Sequence, residues 1–366
     1  MPRRRRGLGV IEATPDPFSP GLLTRLPEAP RRVALLRPAR IGDFICAIPA
    51  FRALRAALPG AEITVIALPL LRDLAQRIPY LDRFAAFPGY PGLAEQFFEA
   101  RRTLRFFREM QEQRLDLAVQ MHGSGVNSNP FALMLGARAT AGFVRPGDGP
   151  GRLDAALPLP ATGHEVWRLL ALARFLGAEP QGEATAFPLW EADHARAETL
   201  LRRARRPLLG LHPGARSATR RWPLERFAAL GGQLCQRHGG TLVVVGGPEE
   251  RARGDRLAAL AGGPALNLCG ALSLPVLGAV LVRLALFVTN DSGPAHLAYA
   301  FGVPTVTIVG GEDSERYGPP RDGPFRVVRH EVPCRPCDEA VCPVDYHCLH
   351  AVTVQRVVVA ARELVA

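Results

Sequence analysis

Short apolar runs of strand length alternate along this chain with longer stretches whose apolar positions recur every three to four residues. In the first half, Val33–Arg37, Ile63–Ala67 and Leu115–Gln120 read as strands, while Phe44–Leu58 and His164–Leu176 carry helical spacing. The second half repeats the rhythm. Strands are expected at Leu208–His212, Thr241–Gly246, Leu286–Asn290 and Thr305–Gly310, with helices at Leu224–Arg237, Glu249–Ala261 and Pro294–Phe301 between them. Such alternation predicts parallel sheets covered by helices on both faces. A polar, Pro-containing stretch near 178–207 separates the two runs, so the fold class is α/β with two Rossmann-like domains facing across a cleft. The expected divisions are a tail at 1–30, a first domain at 31–180, a second at 181–351 and a last helix at 352–366.

Length and composition agree. The 366 residues exceed what one core usually holds. Hydrophobic residues at 48% and charged residues at 22% give a globular balance and exclude a disordered chain. No apolar run reaches the roughly 18 residues that a membrane-spanning helix needs. The start, Met1-Pro-Arg-Arg-Arg-Arg6, is basic, but Pro15, Pro17, Pro20, Pro27 and Pro30 follow it instead of an apolar core. It reads as a loose tail and not a secretory signal, which predicts a cytoplasmic protein.

Net charge is +11, and all 45 Lys and Arg residues are arginine. Guanidinium forks suit phosphate better than ammonium point charges do. Anionic partners are therefore indicated: nucleic acid, a phospholipid surface or phosphorylated sugars. A genome that prefers arginine codons explains the same bias, and charge alone does not choose. Missing motifs narrow the field. There is no Gly-x-Gly-x-x-Gly and no Walker A loop, which disfavours nicotinamide and flavin sites. There is no Asp-x-Asp pair of the kind that metal-dependent sugar transferases carry. No aromatic stripe interleaves with arginine, so nucleic acid is a poor candidate.

Ligands of doubly wound sheets bind on loops that leave the carboxyl ends of strands and open helices. Four loops qualify. In Arg37-Pro-Ala-Arg-Ile-Gly-Asp43, Gly42 permits a tight strand-to-helix turn and Asp43 sits at the helix start. Asp43 reads either as an N-cap or as a general base facing the cleft. The two roles compete, because the electropositive start of a helix weakens a carboxylate as a base. In His212-Pro-Gly-Ala-Arg-Ser-Ala-Thr-Arg-Arg-Trp-Pro223, Gly214 allows close backbone approach, and Ser217, Thr219, Arg216, Arg220 and Arg221 offer hydroxyls and charge. That suits a departing diphosphate, although an ordinary solvated basic loop reads the same way.

The third loop, Thr289-Asn-Asp-Ser-Gly-Pro-Ala-His296, has Ser292 as a candidate cap and Gly293-Pro294 at the helix opening. Free N–H groups there make an anion site; a capped structural turn is the plainer account. In Gly246-Gly-Pro-Glu-Glu250 a carboxylate after a strand suits ribose hydroxyls, and the choice between Glu249 and Glu250 is open. Elsewhere, His122-Gly-Ser-Gly-Val-Asn127 follows a strand but is not a nucleophile elbow. Its histidine is a candidate for the acceptor side or a hydrogen-bonded structural residue. Finally, Cys334, Cys337, Cys342 and Cys348 cluster near His330, His347 and His350. The spacing fits reduced structural thiols as well as it fits a structural zinc or iron, and it offers no open catalytic site.

Taken in order, Ile41-Gly-Asp43, Ile48-Pro-Ala-x-Arg-Ala-Leu54, Met121-His-Gly-Ser-Gly125, Gly136-Ala-Arg138, Leu211-His-Pro-Gly-Ala215, Thr219-Arg-Arg-Trp-Pro223, Val245-Gly-Gly-Pro-x-Glu250, Asn290-Asp-Ser-Gly-Pro-Ala-His296 and Gly302-Val-Pro304 resemble the family-9 glycosyltransferases, typified by the ADP-heptose:lipopolysaccharide heptosyltransferases. The resemblance covers residues 31–366. It implies a GT-B fold, with the acceptor on the first domain, the nucleotide sugar on the second, and the last helix crossing back to the first. It implies inverting, metal-independent transfer of heptose from ADP-heptose to a phosphorylated lipid A-core acceptor at the inner face of the inner membrane. No cofactor is required.

By motif, Asp43 is then the base. His212, Gly214, Arg216, Thr219, Arg220, Arg221, Glu250, Asp291, Ser292, Gly293 and His296 face the donor. Arg40, His122 and Asn127 face the acceptor. One departure stands out: the family's Thr-Lys-x-Trp reads Thr219-Arg-Arg-Trp222 here, which keeps the charge but changes its reach. Rival readings are another nucleotide sugar, a protein hydroxyl as acceptor, a nucleotide-sugar 2-epimerase, and an inactive chain whose Cys segment serves assembly.

Overall fold

The structure is a computed structural model that describes residues 16–337, 339 and 341–365. The basic run Arg3–Arg6, and with it half of the expected tail, lies outside the described residues. The first lobe holds strands β1 (Arg32–Leu36), β2 (Glu62–Ala67), β3 (Arg83–Ala86), β4 (Leu117–Gln120), β5 (Ala139–Val144) and β6 (Ala155–Pro158). The second holds β7 (Leu208–His212), β8 (Thr241–Val244), β9 (Ala265–Asn267), β10 (Leu286–Asn290), β11 (Thr305–Val309) and β12 (Phe325–Arg329). Each lobe is one six-stranded sheet, in the orders β3-β2-β1-β4-β5-β6 and β12-β11-β10-β7-β8-β9. Every strand pairing is parallel.

Both sheets have the same doubly wound order, which reverses direction between β1 and β4 in one lobe and between β7 and β10 in the other. A crevice opens where the winding reverses, because helices leave the two strands on opposite faces. The loops after β1, β4, β7 and β10 therefore border the two crevices. These are the loops that carry Asp43, His122, His212 and Asp291.

The central strands β4, β5, β7, β8, β10 and β11 are buried along their whole length because helices cover both faces, while β3, β9 and β12 at the edges are only partly covered. The core of the first lobe continues into the second through Leu277, Val280, Leu281, Leu297 and Ala298. Those residues lie on the helices Leu274–Leu281 and Gly293–Ala300. The lobes thus meet over apolar surface, and Arg77 of the first lobe pairs with Asp193 at 2.9 Å.

Several expectations need correction. Phe44–Leu58 is two helices, Ile41–Ile45 and Ile48–Ala57, since Pro49 restarts the helix at its second position. The stretch 178–207 contains the helix Glu191–Leu201, which packs on Leu274–Leu281. The last helix, Val354–Arg362, does not cross back. Val357, Val358, Ala360 and Ala361 pack into the second lobe's core beside Trp222 and Leu230. Trp222 is fully buried and donates from Nε1 to the Val352 carbonyl at 2.9 Å, so it ties this C-terminal segment to the donor-side loop.

Candidate active site

In the first lobe, β1 ends at Arg37, which is 2% exposed. A buried guanidinium must spend its donors on oxygen, and Arg37 does so. It donates to the carbonyls of Met121 and Asp43 and, at 2.9 Å, to the Glu165 carboxylate. Its Nη2 also lies 3.7 Å from Asp43 Oδ1. Asp43 occupies the first turn of Ile41–Ile45, and Arg40 is the N-cap residue. The Asp43 side chain is therefore not the N-cap. Held from behind by Arg37, it remains 31% exposed toward the cleft.

Behind Asp43 lies an arginine cluster that the sequence reading missed. Glu165 opens the helix Glu165–Leu176 and contacts Arg37, Arg168 and Arg316. Burial alone would raise its carboxyl, but the Arg37 and Arg316 guanidiniums outweigh burial and hold it at about 2. Arg316 belongs to the second lobe, and His164 reaches the Gly318 carbonyl at 3.1 Å. Glu165 therefore bridges the lobes as well as bracing Arg37.

In the second lobe, His212 ends β7, and its ring is fixed on both sides. Nδ1 lies 3.2 Å from Thr289 Oγ1 and 3.1 Å from Ser292 Oγ, and Nε2 lies 3.4 Å from Glu250 Oε2. Glu250 also accepts the Gly247 N–H at 2.8 Å. A Cβ on Gly214 would lie 1.5 Å from Glu250 Oε1, so a side chain there would push the Glu250 carboxylate off His212. Of the two glutamates left open by sequence, Glu250 is the one joined to the β7 loop.

Ser292 sits at the N-cap position of Gly293–Ala300, but its side chain does not cap. Its hydroxyl donates to the Asn290 carbonyl and meets His212 instead; Pro294 has no N–H and Ala295 donates to the Ser292 carbonyl at 3.0 Å, so of the groups that open this helix the Gly293 N–H is left outside its hydrogen bonds. Asp291, beside it, is 6% exposed. Burial, with Glu312 nearby, pushes its carboxyl up to about 7.

The arginines of the loop after β7 divide by partner. Arg221 is spent on its own loop, donating to the Ala215 and Arg216 carbonyls. Arg220 pairs with Glu312, a residue not singled out by sequence. Arg40 is half-buried, and burial together with Arg216 and Arg220 lowers its guanidinium. Arg40 from the first lobe thus faces Arg216 and Arg220 from the second. Converging like charges of this kind suit an anion between them. Thr219 is buried, with Oγ1 2.6 Å from Ser217 Oγ.

The lobes touch at the centre of the site. The helices Ile41–Ile45 and Gly293–Ala300 abut: a Cβ on Gly42 would meet His296, and one on Gly293 would meet Ile41 at 2.9 Å. His296 is fully enclosed, and burial lowers its imidazole to about 4. After β4, His122 lies 3.7 Å from Glu95. Asn127 donates to the Gly92 carbonyl at 3.0 Å, so its amide is used within the fold.

Cys334, Cys337, Cys342 and Cys348 line one small cavity with His347, against Thr219 and Gly311. Among the described residues, however, no three His, Cys, Asp or Glu side chains are grouped to hold a metal. A structural zinc or iron is therefore unsupported. The segment braces the donor loops instead: Cys337 N–H donates to Gly311 at 2.7 Å, and Arg335 donates to the Gly310 carbonyl. Among the described residues, no helix is long and apolar enough to cross a membrane.

Known proteins share this architecture. The lipooligosaccharide heptosyltransferase 2 of Campylobacter jejuni is 28% identical over 169 residues, or 45% of this chain and 53% of the relative. That match spans only about half of the relative's length. The lipopolysaccharide heptosyltransferase 2 of Salmonella typhimurium is 27% identical over 315 residues, covering 81% of this chain and 88% of the relative. The structure of the Escherichia coli ADP-heptose lps heptosyltransferase II superposes with a TM-score of 0.73 at 23% identity, covering 91% of this chain and 98% of that one, which establishes a GT-B fold. The family model described as glycosyltransferase family 9 (heptosyltransferase) matches residues 103–347, about two thirds of the sequence, and with it the chain belongs to glycosyltransferase family 9.

Proposed function

We propose that the protein transfers a heptose from ADP-heptose to a lipid-linked, phosphorylated inner-core acceptor of lipopolysaccharide, inverting the anomeric carbon without a metal ion. Family membership supports glycosyl transfer. The Salmonella lipopolysaccharide heptosyltransferase and the Escherichia coli ADP-heptose heptosyltransferase support the sugar, the nucleotide and the acceptor class. The cytoplasmic face of the inner membrane is then the place of reaction.

One observation carries this reading. The helix bearing Asp43 abuts the helix Gly293–Ala300, so a carboxylate of one lobe stands beside an anion-binding helix start of the other. The acceptor hydroxyl loses its proton to Asp43 as its oxygen bonds to the anomeric carbon from the face opposite the diphosphate. The bond from that carbon to the phosphate oxygen breaks, and ADP leaves with the electron pair. Charge on the departing oxygens is met by Arg220, Arg216 and the Gly293 N–H at the start of Gly293–Ala300. His212 and Glu250, held together, form the floor on which the ribose rests. Asp43 makes a weak base, and it serves because the hydroxyl proton moves only as the new bond forms.

The test pairs binding with turnover. Asp43→Ala and Asp43→Asn should keep the thermal shift given by ADP and lose about a thousandfold in transfer. Full transfer activity in either variant would overturn the base role. ADP and ADP-sugars should stabilise the protein more than UDP or GDP ligands. Turnover of a UDP-sugar with no acceptor present would favour a 2-epimerase instead.

A further inference from the structure

A loop on the first lobe spends large apolar side chains on solvent. Phe97 is 83% exposed and Phe98 40%, just before the helix Ala100–Glu112, on which Leu104 is 54% exposed. The loop backbone is held in place. Arg102 donates to the Pro88 carbonyl at 2.8 Å and also to that of Phe97, and Thr103 Oγ1 donates to Gly89 at 3.0 Å. Glu99 caps the helix through the N–H groups of Arg101 and Arg102, both at 2.9 Å. Tyr90 packs edge-on to Phe107 and Phe131. A braced loop that leaves two phenyl rings uncovered marks an interaction surface.

The charge around the rings identifies the partner. Arg101, Leu104, Arg105 and Arg108 stand at positions i, i+3, i+4 and i+7, so they share one helix face, and all are exposed. Glu109 and Glu112 lie at the far end of the helix, and Glu99 is engaged as the cap. The face is therefore apolar and basic from Phe97 to Arg108, and Glu109 and Glu112 follow only in the last turn. Phenyl rings beside guanidiniums match the boundary between acyl chains and phosphate headgroups.

We propose that residues 97–108 dock the protein on an anionic phospholipid bilayer, with Phe97 and Phe98 entering the interface and Arg101, Arg105 and Arg108 meeting lipid phosphates. The proposal deepens the reading of a lipid-linked acceptor and rests on it for its purpose. Glu95, two residues before Phe97, pairs with His122 at the carboxyl end of β4. Two residues span at most about 7 Å, so one loop connects the mouth of the cleft to the lipid.

The test uses the full chain and vesicles that contain no sugar, so its failure leaves the transfer reading standing, and loss of transfer leaves docking standing. Phe97→Trp is mixed with phosphatidylcholine–phosphatidylglycerol vesicles whose acyl chains carry bromine. Fluorescence quenching above that of the wild type, and its absence with phosphatidylcholine alone, is the expected result. Phe97→Ser/Phe98→Ser and Arg101→Gln/Arg105→Gln/Arg108→Gln should each lower vesicle partition about tenfold or more at an unchanged melting temperature. No added quenching at position 97, or partition that neither set of substitutions changes, overturns the proposal. Attraction through the basic N-terminus alone would give that second outcome.

Discussion

Gly42 and His296 touch across the two lobes: a Cβ on Gly42 would lie 2.4 Å from Cδ2 and 2.7 Å from Nε2 of the imidazole. The ring is buried and cannot swing into solvent. An added methyl group must push the helix Ile41–Ile45 away from Gly293–Ala300, and with it Asp43 away from the anion site. Gly42→Ala should therefore fold with a loss of about 1–3 kcal/mol. It should cost about a hundredfold in kcat, since displacements near 1 Å are felt strongly in transfer geometry. Calorimetric ADP binding beside a transfer assay checks this. Unchanged kcat would mean that the contact does not set the distance between base and donor.

Glu165→Gln tests the bridge behind Asp43. It removes the one carboxylate that meets Arg37, Arg168 and Arg316. Breaking a buried pair by removing one partner costs about 3–5 kcal/mol; Arg37 keeps its link to Asp43, which places the expected loss nearer the lower figure. The sign with pH follows from the direction of the shift. A carboxyl held at about 2 against an ordinary 4.5 contributes fully above the higher value and fades as pH falls through the lower. The deficit of the variant should be largest at neutral pH and shrink on acidification, as read by urea unfolding. A pH-independent deficit would point to packing instead of charge.

The legible parts of this molecule are those with local patterns. β7 and β10 are continuous apolar runs followed by Gly- and Pro-containing loops, and the expected bounds match the observed ones. β3, with its sequence Arg-Phe-Ala-Ala, and the three-residue β9 carry no such run, and their place is set by pairing with β2 and β8. The loop motifs led to Asp43 and Asp291 because each lies in a short, polar strand-to-helix turn. Glu165 stayed hidden because an acidic residue in a first helical turn reads as an ordinary cap, and two of its arginine partners, Arg37 and Arg316, come from distant segments. The last helix was misplaced for a similar reason. Its apolar stripe says that it packs, and contacts far apart in sequence, such as the Trp222 bond to Val352 and the packing of Val357 and Ala361 in the second core, show where.

Asp291 predicts a pH dependence of donor binding. Burial, then Glu312, raises its carboxyl from 3.8 to about 7, so the neutral form is favoured in the folded protein. An approaching diphosphate favours that form further. ADP affinity should fall several-fold from about pH 6 to about pH 8, and Asp291→Asn should flatten the profile. Stability follows the same sign. Between the two values the folded state binds more protons than the unfolded one, so stability falls as pH rises through that window, and Asn should remove the slope. Titration calorimetry and thermal melts at matched pH measure both. A wild-type affinity that rises with pH would show that Asp291 does not face the anion.

Arg220 stands where the family pattern has lysine, and it is paired with Glu312. Both residues act on Asp291, with opposite signs. An anion competing with Glu312 for the guanidinium must first loosen that pair. Glu312→Gln should therefore tighten ADP binding several-fold by removing the competitor for the Arg220 guanidinium, an effect that is partly offset near neutral pH because Asp291 then ionises more readily. Arg220→Ala should lower kcat by about a hundred- to a thousandfold, the usual cost of losing one group that meets charge developing in the transition state. Arg220→Lys keeps the point charge but loses the planar fork, and should retain activity within about tenfold. Steady-state kinetics on the three variants, with ADP affinities measured separately, divides the roles. If Arg220→Ala raises KM and leaves kcat untouched, Arg220 holds the ground-state diphosphate only, and the leaving charge falls to Arg216 and the Gly293 amide that opens Gly293–Ala300.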